Sequence, residues 1–287
     1  MDLNTVTEFA PATDASWRDG DAWLGGGTWL FSVPQPRVSR LLDLQAFGWT
    51  AVEEEAGGVL IGATCTLAQL ARWQPDRPGY AAAAVLARQC CHALLGSFKV
   101  HNVATVGGNI CLSLPAGPMT SLASALDGVA LLRGPGGTRR GVPVTSFVTG
   151  DGRNTLRPGE LLTHIWLPAG ALTARTAFRQ LSLSPVGRSA VLVIARRDRP
   201  AGDDGNGART DDASAGETVV TVTASTPCPV QLRFGGPPSA AEALDALDAA
   251  VVGPGGPGYL DDVHGAAPWR AAMTRRLVTG ALEELAG

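Results

Sequence analysis

The sequence predicts an α+β chain in two parts, a larger one over 1–172 and a small antiparallel sheet with helices over 173–287. Three observations carry this expectation. Short apolar runs of strand length alternate with turns, and 36 glycines and 20 prolines in 287 residues supply the turn chemistry. Val129–Arg133 and Arg139–Pro143 flank Gly134-Pro135-Gly136-Gly137, the pattern of a hairpin and hence of antiparallel pairing. Beyond residue 172, strand-like runs come first and helical patterns follow, an order that suits an α+β unit. A doubly wound nucleotide fold is disfavoured, because no G-x-G-x-x-G opens a strand–helix–strand unit with a distal acidic residue.

The elements follow in order. Residues 1–20 are polar and irregular, and Ala22-Trp23-Leu24 reads as a short buried strand that runs into Gly25-Gly26-Gly27-Thr28 and then Trp29-Leu30-Phe31. Arg40–Leu44 and Val59–Ala63 read as strands, with a subdomain boundary expected near 56–60. Thr66 with Gln69 three residues on has capping-box spacing and predicts a helix over Leu67–Trp73. The alanine-rich run Tyr80–Leu95 predicts a buried helix. Val103, Thr105 and Val106 look strand-like ahead of Gly107-Gly108-Asn109, and Pro118 suits the first position of a helix over Met119–Asp127. Glu160–Leu167 reads as a strand closed by Pro168. Further strands are expected over Ala177–Leu183, Ala190–Arg196 and Val219–Ala224. Between the last two, residues 198–217 are rich in Gly, Asp, Ala and Ser and predict a mobile loop. Ser239 caps a helix to Val251, and Pro268–Leu285 predicts a longer one with Trp269, Met273, Leu277 and Ala281 on one face.

Composition excludes several classes. Charged residues make up 17% and the formal net charge is −3, with no basic run to mark a nucleic-acid surface. No apolar stretch approaches the roughly twenty residues of a membrane span, and Met1-Asp2-Leu3-Asn4 does not open a signal peptide, so a cytoplasmic location is expected. The five cysteines, Cys65, Cys90, Cys91, Cys111 and Cys228, form no C-x-x-C. They read as free thiols, and no iron–sulfur cluster or zinc of the chain's own is expected. His92, His101, His164 and His264 are far apart in sequence and read as structural.

What remains is glycine. Adjacent glycines at 25–27 and at 107–108 remove Cβ atoms and permit positive φ, so successive amides can converge on an anion. The same residues also serve plain tight turns, and each segment alone leaves both readings open. No P-loop lysine, G-x-S-x-G or H-E-x-x-H is present. Two candidate phosphate cradles without a nucleophile point to a bound cofactor that supplies the chemistry. A dinucleotide is long enough to span both.

Asn102-Val103-Ala104-Thr105-Val106-Gly107-Gly108-Asn109-Ile110, with Pro115-Ala116-Gly117, resembles the second FAD motif of the flavoprotein subunits of molybdenum hydroxylases. That family includes the medium subunit of carbon monoxide dehydrogenase and the FAD domain of xanthine dehydrogenase. Gly25-Gly26-Gly27-Thr28-Trp29-Leu30 resembles its first motif. Phe147-Val148-Thr149-Gly150 with Leu156–Leu162 is similar to the close of its FAD domain, and Asp262-Val263-His264-Gly265 with Trp269-Arg270 and Leu277 to the end of its C-terminal domain.

The resemblance implies a vanillyl-alcohol-oxidase-type FAD-binding domain of two subdomains, followed by the small C-terminal domain, with FAD held non-covalently. By position it implies a cofactor site of Trp23, Leu24, Gly25, Gly26, Gly27, Thr28, Trp29 and Leu30 on the pyrophosphate and adenosine side. Leu95, Gly96 and Val100 would approach ahead of the main motif. Thr105, Gly107, Gly108 and Asn109 would hold the phosphates and ribityl chain. Cys111, Leu112, Ser113, Leu114 and Pro118 would run toward the flavin. At Leu112, Leu114 and Pro118 the family more often carries polar residues, and Ser113 is a candidate to replace one lost contact. Trp29 stands where the family has a small or polar residue, and it either stacks on the adenine or packs in the core. The implied activity is electron transfer in a heterotrimer, with no catalytic acid, base or metal ligand in this chain. A 2Fe–2S subunit would deliver electrons, a molybdopterin-binding large subunit would hydroxylate the substrate, and NAD, oxygen or another acceptor would be reduced. No nucleic acid or membrane is involved. The alternatives are a stand-alone FAD oxidoreductase of the same superfold and a subunit that has lost FAD.

Overall fold

A computed structural model describes residues 3–12, 17–199 and 216–287. Most of the expected mobile loop, residues 200–215, lies outside the described residues. The chain opens with a small parallel sheet of β1 (Glu8–Pro11), β2 (Asp21–Leu24) and β3 (Arg40–Asp43), in the order β1-β3-β2. Arg40 fastens it, donating from Nε and Nη2 to the Asp21 carboxylate at 2.7 and 2.6 Å. This bond holds the Asp21 carboxyl below the usual carboxylate range, against the opposing effect of burial.

The second sheet is antiparallel, in the order β4-β5-β10-β6-β7. Its strands are β4 (Val52–Glu55), β5 (Gly58–Gly62), β6 (Val129–Arg133), β7 (Arg139–Pro143) and β10 (Leu161–Pro168). The β6–β7 hairpin forms around Gly134–Gly137 as the turn chemistry dictates. β4 pairs with β5 across Ala56-Gly57, so the span 56–60 is the tip and start of a hairpin. The chain leaves the first sheet earlier, after β3, through a turn over Leu44–Phe47 closed by Gly48 in the left-handed region.

Between β5 and β6 lie α1 (Leu67–Ala71), α2 (Ala81–Ala93), α3 (Phe98–His101), α4 (Val106–Leu112) and α5 (Pro118–Ala125). The Thr66–Gln69 capping box forms in both directions. Helices and sheet share one core, in which Ile61, Leu132 and Ile165 meet Leu86, Ile110 and Leu122. After β7 come α6 (Val144–Phe147), the small pair β8 (Val148–Gly150) and β9 (Arg153–Asn154), then β10 and α7 (Ala169–Leu172). The strand-like reading of Val103–Val106 is corrected here. Thr105 is the N-cap of α4 and Val106 its first residue, so β-branched content gives way to a local capping bond.

The C-terminal sheet is a meander of β11 (Arg175–Leu181), β12 (Val191–Arg197), β13 (Thr218–Thr223) and β14 (Val230–Phe234). Alternation along β12 sends Val191, Val193 and Ala195 toward α8 (Ala240–Val252) and α9 (Ala267–Ala286). Leu192 and Ile194 instead join the core shared with α5. Cover on both faces accounts for its unbroken apolar run. α9 buries Thr274, Val278, Ala281 and Leu285 most deeply, while Trp269, Met273 and Leu277 pack beside them, so the buried stripe is rotated from the expected one. Among the described residues no helix is long and apolar enough to cross a membrane.

Candidate functional site

A cleft of about 690 Å3 opens where the loop after β2, α4, the 111–117 segment and the start of β12 meet. This lies within the size range of cofactor sites, about 300–1,000 Å3. Both glycine segments line it.

The first segment folds as a turn whose glycines serve different ends. An ideal Cβ on Gly25 would fall 2.9 Å from Thr105 Oγ1, and one on Gly26 would fall 1.8 Å from the Val103 carbonyl oxygen. These glycines let the loop lie directly on the chain ahead of α4. Gly27 has φ +70°, a left-handed conformation that glycine adopts at little cost. The turn is closed by Phe31 N donating to Gly27 O at 2.9 Å and Ser32 N to Trp29 O at 2.8 Å. Among the described residues, the amides of Gly26 to Leu30 have no backbone or side-chain acceptor. These residues are part-exposed and border the cleft, so their amides are available to water or to a bound anion. Trp29 lines the same cleft and is 45% exposed, which removes the core-packing reading.

The second segment differs from the expected anion turn. Val106 N donates to Cys65 O at 2.8 Å, Gly107 N to Ala63 O at 2.9 Å and Asn109 N to Thr105 O at 2.9 Å. Gly108 N donates to Thr105 Oγ1 at 3.0 Å. These amides are spent inside the protein. Gly107 faces away from the cleft, where a Cβ would meet Ala63 Cβ at 2.6 Å. Gly108 faces the cleft and is exposed. Asn109 Oδ1 accepts from Met119 N at 3.0 Å, tying α4 to the first turn of α5 while the residue lines the cleft.

Of the remaining expected residues, Trp23, Leu24, Thr28, Leu30, Val100, Thr105, Cys111, Leu112 and Leu114 line the cleft. Four of the expected set lie off it: Gly96, Gly107, Ser113 and Pro118. Gly96 lines a neighbouring cleft of about 750 Å3 with His92, His101 and the β11–β12 hairpin. Pro118 is buried at the start of α5. Ser113 is buried at φ 54°, with its hydroxyl donating to Ile110 O at 3.0 Å, so it does not replace a lost polar contact in the cleft. Burial pushes the Cys111 thiol up to about 12, which keeps it protonated at neutral pH.

Ser32, Gln35, Arg188 and Ser189 also line the cleft. The last two come from the connection between β11 and β12 and carry no local motif. Only the meander that returns the chain to α5 brings them in. No Asp, Glu, His or Lys lines this cleft among the described residues.

Residues 4–170 match the family described as the FAD binding domain in molybdopterin dehydrogenase. The nicotinate dehydrogenase FAD-subunit of Eubacterium barkeri is 30% identical over 148 residues, which are 50% of this chain and 46% of that protein. The chain thus spans about half the length of this curated relative. Among solved structures, a chain of the reconstituted CO dehydrogenase from Oligotropha carboxidovorans superposes with a TM-score of 0.75 at 20% identity, covering 97% of this chain and 96% of that one. A chain of quinoline 2-oxidoreductase from Pseudomonas putida 86 gives 0.71 at 18% identity, with 97% of each chain covered. These structures share the fold. The family match extends over more than half of the sequence and includes both glycine segments, so the chain belongs to the FAD-binding domains of molybdopterin dehydrogenases and its cofactor is FAD.

Proposed function

We propose that this chain is the electron-transfer subunit of a molybdenum hydroxylase complex, receiving electrons from the 2Fe–2S clusters of a partner chain and delivering them through FAD to NAD, oxygen or another acceptor. A large subunit with molybdopterin would carry out the hydroxylation. The observation that carries this reading is the convergence of both glycine segments of the family match on one cleft.

We place the FAD-binding part at 1–172 and the C-terminal domain at 173–287. Within the cleft, the free amides of Gly26 to Leu30 would hold the diphosphate, with Thr28 beside them. Trp29 would stack on the adenine. Thr105, Gly108 and Asn109 would flank the ribityl chain. Leu95, Val100, Leu112 and Leu114 would exclude water from the ring. Bound FAD supplies the redox chemistry, and the chain's own contribution is placement, charge complement and desolvation.

Purified from its native host with its neighbours, the chain is expected to show flavin absorbance and to bring down an iron–sulfur protein and a molybdopterin protein. A colourless chain that stays colourless after FAD is added would overturn the cofactor site. A yellow chain that oxidises a small substrate alone, without partners, would overturn the subunit reading.

A further inference from the structure

We propose that Arg188 supplies the counter-charge for the diphosphate of the dinucleotide, reaching it from the C-terminal domain across the cleft from the glycine loop. This rests on the cofactor-site reading above. Arg188 lines the cleft and is half-buried. Among the described residues it is the only ionic side chain in that lining, and its guanidinium has no hydrogen-bond or ion-pair partner. Other enclosed arginines each have a carboxylate partner: Arg40 has Asp21, Arg140 has Glu160, Arg196 has Asp127 and Arg270 has Asp262. An unpaired, partly desolvated guanidinium is costly to keep. A ligand anion would offset that cost.

The backbone that carries Arg188 is fixed. Ser189 Oγ accepts from Gln180 Nε2 at 2.8 Å. Ala190 donates its amide to Leu181 O at 2.9 Å and accepts from the buried Arg270 Nη1 at 2.8 Å. The side chain therefore leaves a rigid strand end. Elsewhere in the same lining, the amides of Gly26 to Leu30 offer dipoles without formal charge, and those of Val106 to Asn109 are already bonded. A diphosphate needs formal positive charge as well as donors, and the planar fork of arginine suits phosphate oxygens. FAD bound in this way would touch both domains at once.

The test titrates the full-length chain with FAD, ADP and riboflavin, following flavin or tryptophan fluorescence, for wild type, Arg188→Gln and Arg188→Lys. Arg188→Gln should weaken FAD and ADP alike, roughly ten- to a hundred-fold, as expected when one charge-assisted bond is lost. Riboflavin, which has no phosphate, should bind unchanged. Arg188→Lys should keep part of the affinity, and added salt should weaken ADP binding to wild type more than to Arg188→Gln. The proposal is overturned if Arg188→Gln binds FAD and ADP as wild type does, or if riboflavin loses as much as FAD. A cofactor-free Arg188→Gln chain that melts clearly below wild type would contradict the unpartnered geometry. If wild type itself takes up no FAD, the cofactor-site reading fails. If wild type binds and the variant binds equally, only the role of Arg188 fails.

Discussion

Gly107 and Gly108 are neighbours in sequence, yet a side chain at each meets a different environment. At Gly107 a Cβ would lie 2.6 Å from Ala63 Cβ and 2.8 Å from Ala63 O, inside the core behind α4. At Gly108 the one contact is Thr105 Oγ1 at 2.9 Å, and the position faces the cleft. Gly107→Val should therefore lower stability by about 1–3 kcal/mol through overpacking, read as a lower urea midpoint. Gly108→Val should lose about 1 kcal/mol at most, through the disturbed Thr105 cap. Flavin absorbance after purification should instead fall sharply in Gly108→Val. Equal midpoints in the two variants would contradict this division. The sequence marks both glycines alike, because which side of a helix start faces the cleft depends on what packs behind it.

At the scale of elements, a side-chain hydrogen bond ties α4 to α5 beside their shared core. Asn109 reaches from α4 to the Met119 amide, an orphan donor in the first turn of α5. Asn109→Ala should cost about 1 kcal/mol, the usual worth of one such bond, and should loosen the 111–117 wall between the two helices. Hydrogen exchange at Met119 would register it, and unchanged protection there would refute the link. Elements with local punctuation were legible from sequence: the β6–β7 turn, the Thr66–Gln69 box, Pro118 at a helix start and Ser239 at another. β4 and β14 were not. Val52–Glu55 carries three glutamates on an edge strand and gives no apolar signal, while Val230–Phe234 has the alternation of a half-buried strand but over only five residues. α4 was misread because Val103, Thr105 and Val106 carry strand propensity, while the decisive contact is one cap.

For the molecule as a whole, buried polar groups fasten the C-terminal sheet to its helices and to the cleft wall. Arg270, 1% exposed, donates to Gly265 O, Ala190 O, Ala224 O and the Asp262 carboxylate. Ala224 in turn donates its amide to Pro115 O at 2.9 Å, which ties the C-terminal sheet to the cleft wall. Arg270→Ala should destabilise the chain by about 2–4 kcal/mol, because it strands the buried carbonyl acceptors of Ala190 and Ala224 and leaves a cavity; a denaturation midpoint near wild type would sink this account. An ion pair beside the larger sheet responds to acid. Arg140 Nε and Nη2 donate to Glu160 at 2.9 and 2.6 Å, and the Arg157 amide adds a bond at 2.8 Å. The Arg140 bonds, acting against burial, hold the Glu160 carboxyl at about 2. Since this folded value lies below the ordinary 4.5, the stabilisation is complete above about pH 5 and fades as pH falls toward about 2. Glu160→Gln should be less stable than wild type at pH 7, with the gap closing as the acid limb is crossed; a gap independent of pH would contradict the assignment. Each motif could be read in the sequence singly, but their meeting, and the arrival of Arg188 beside them, needed 160 residues of intervening topology.

The contact of Gly26 with the carbonyl of Val103 constrains how this site can vary over time. Where two side chains collide, a change in one can be relieved by shrinking the other, and lineages drift through such exchanges. Here the opposing atom is a peptide oxygen, present whatever residue occupies 103. No second-site reversion at 103 can make room for a side chain at 26, so the position has no neighbour to trade volume with, and in a selection for recovered function only restoration of glycine itself should return.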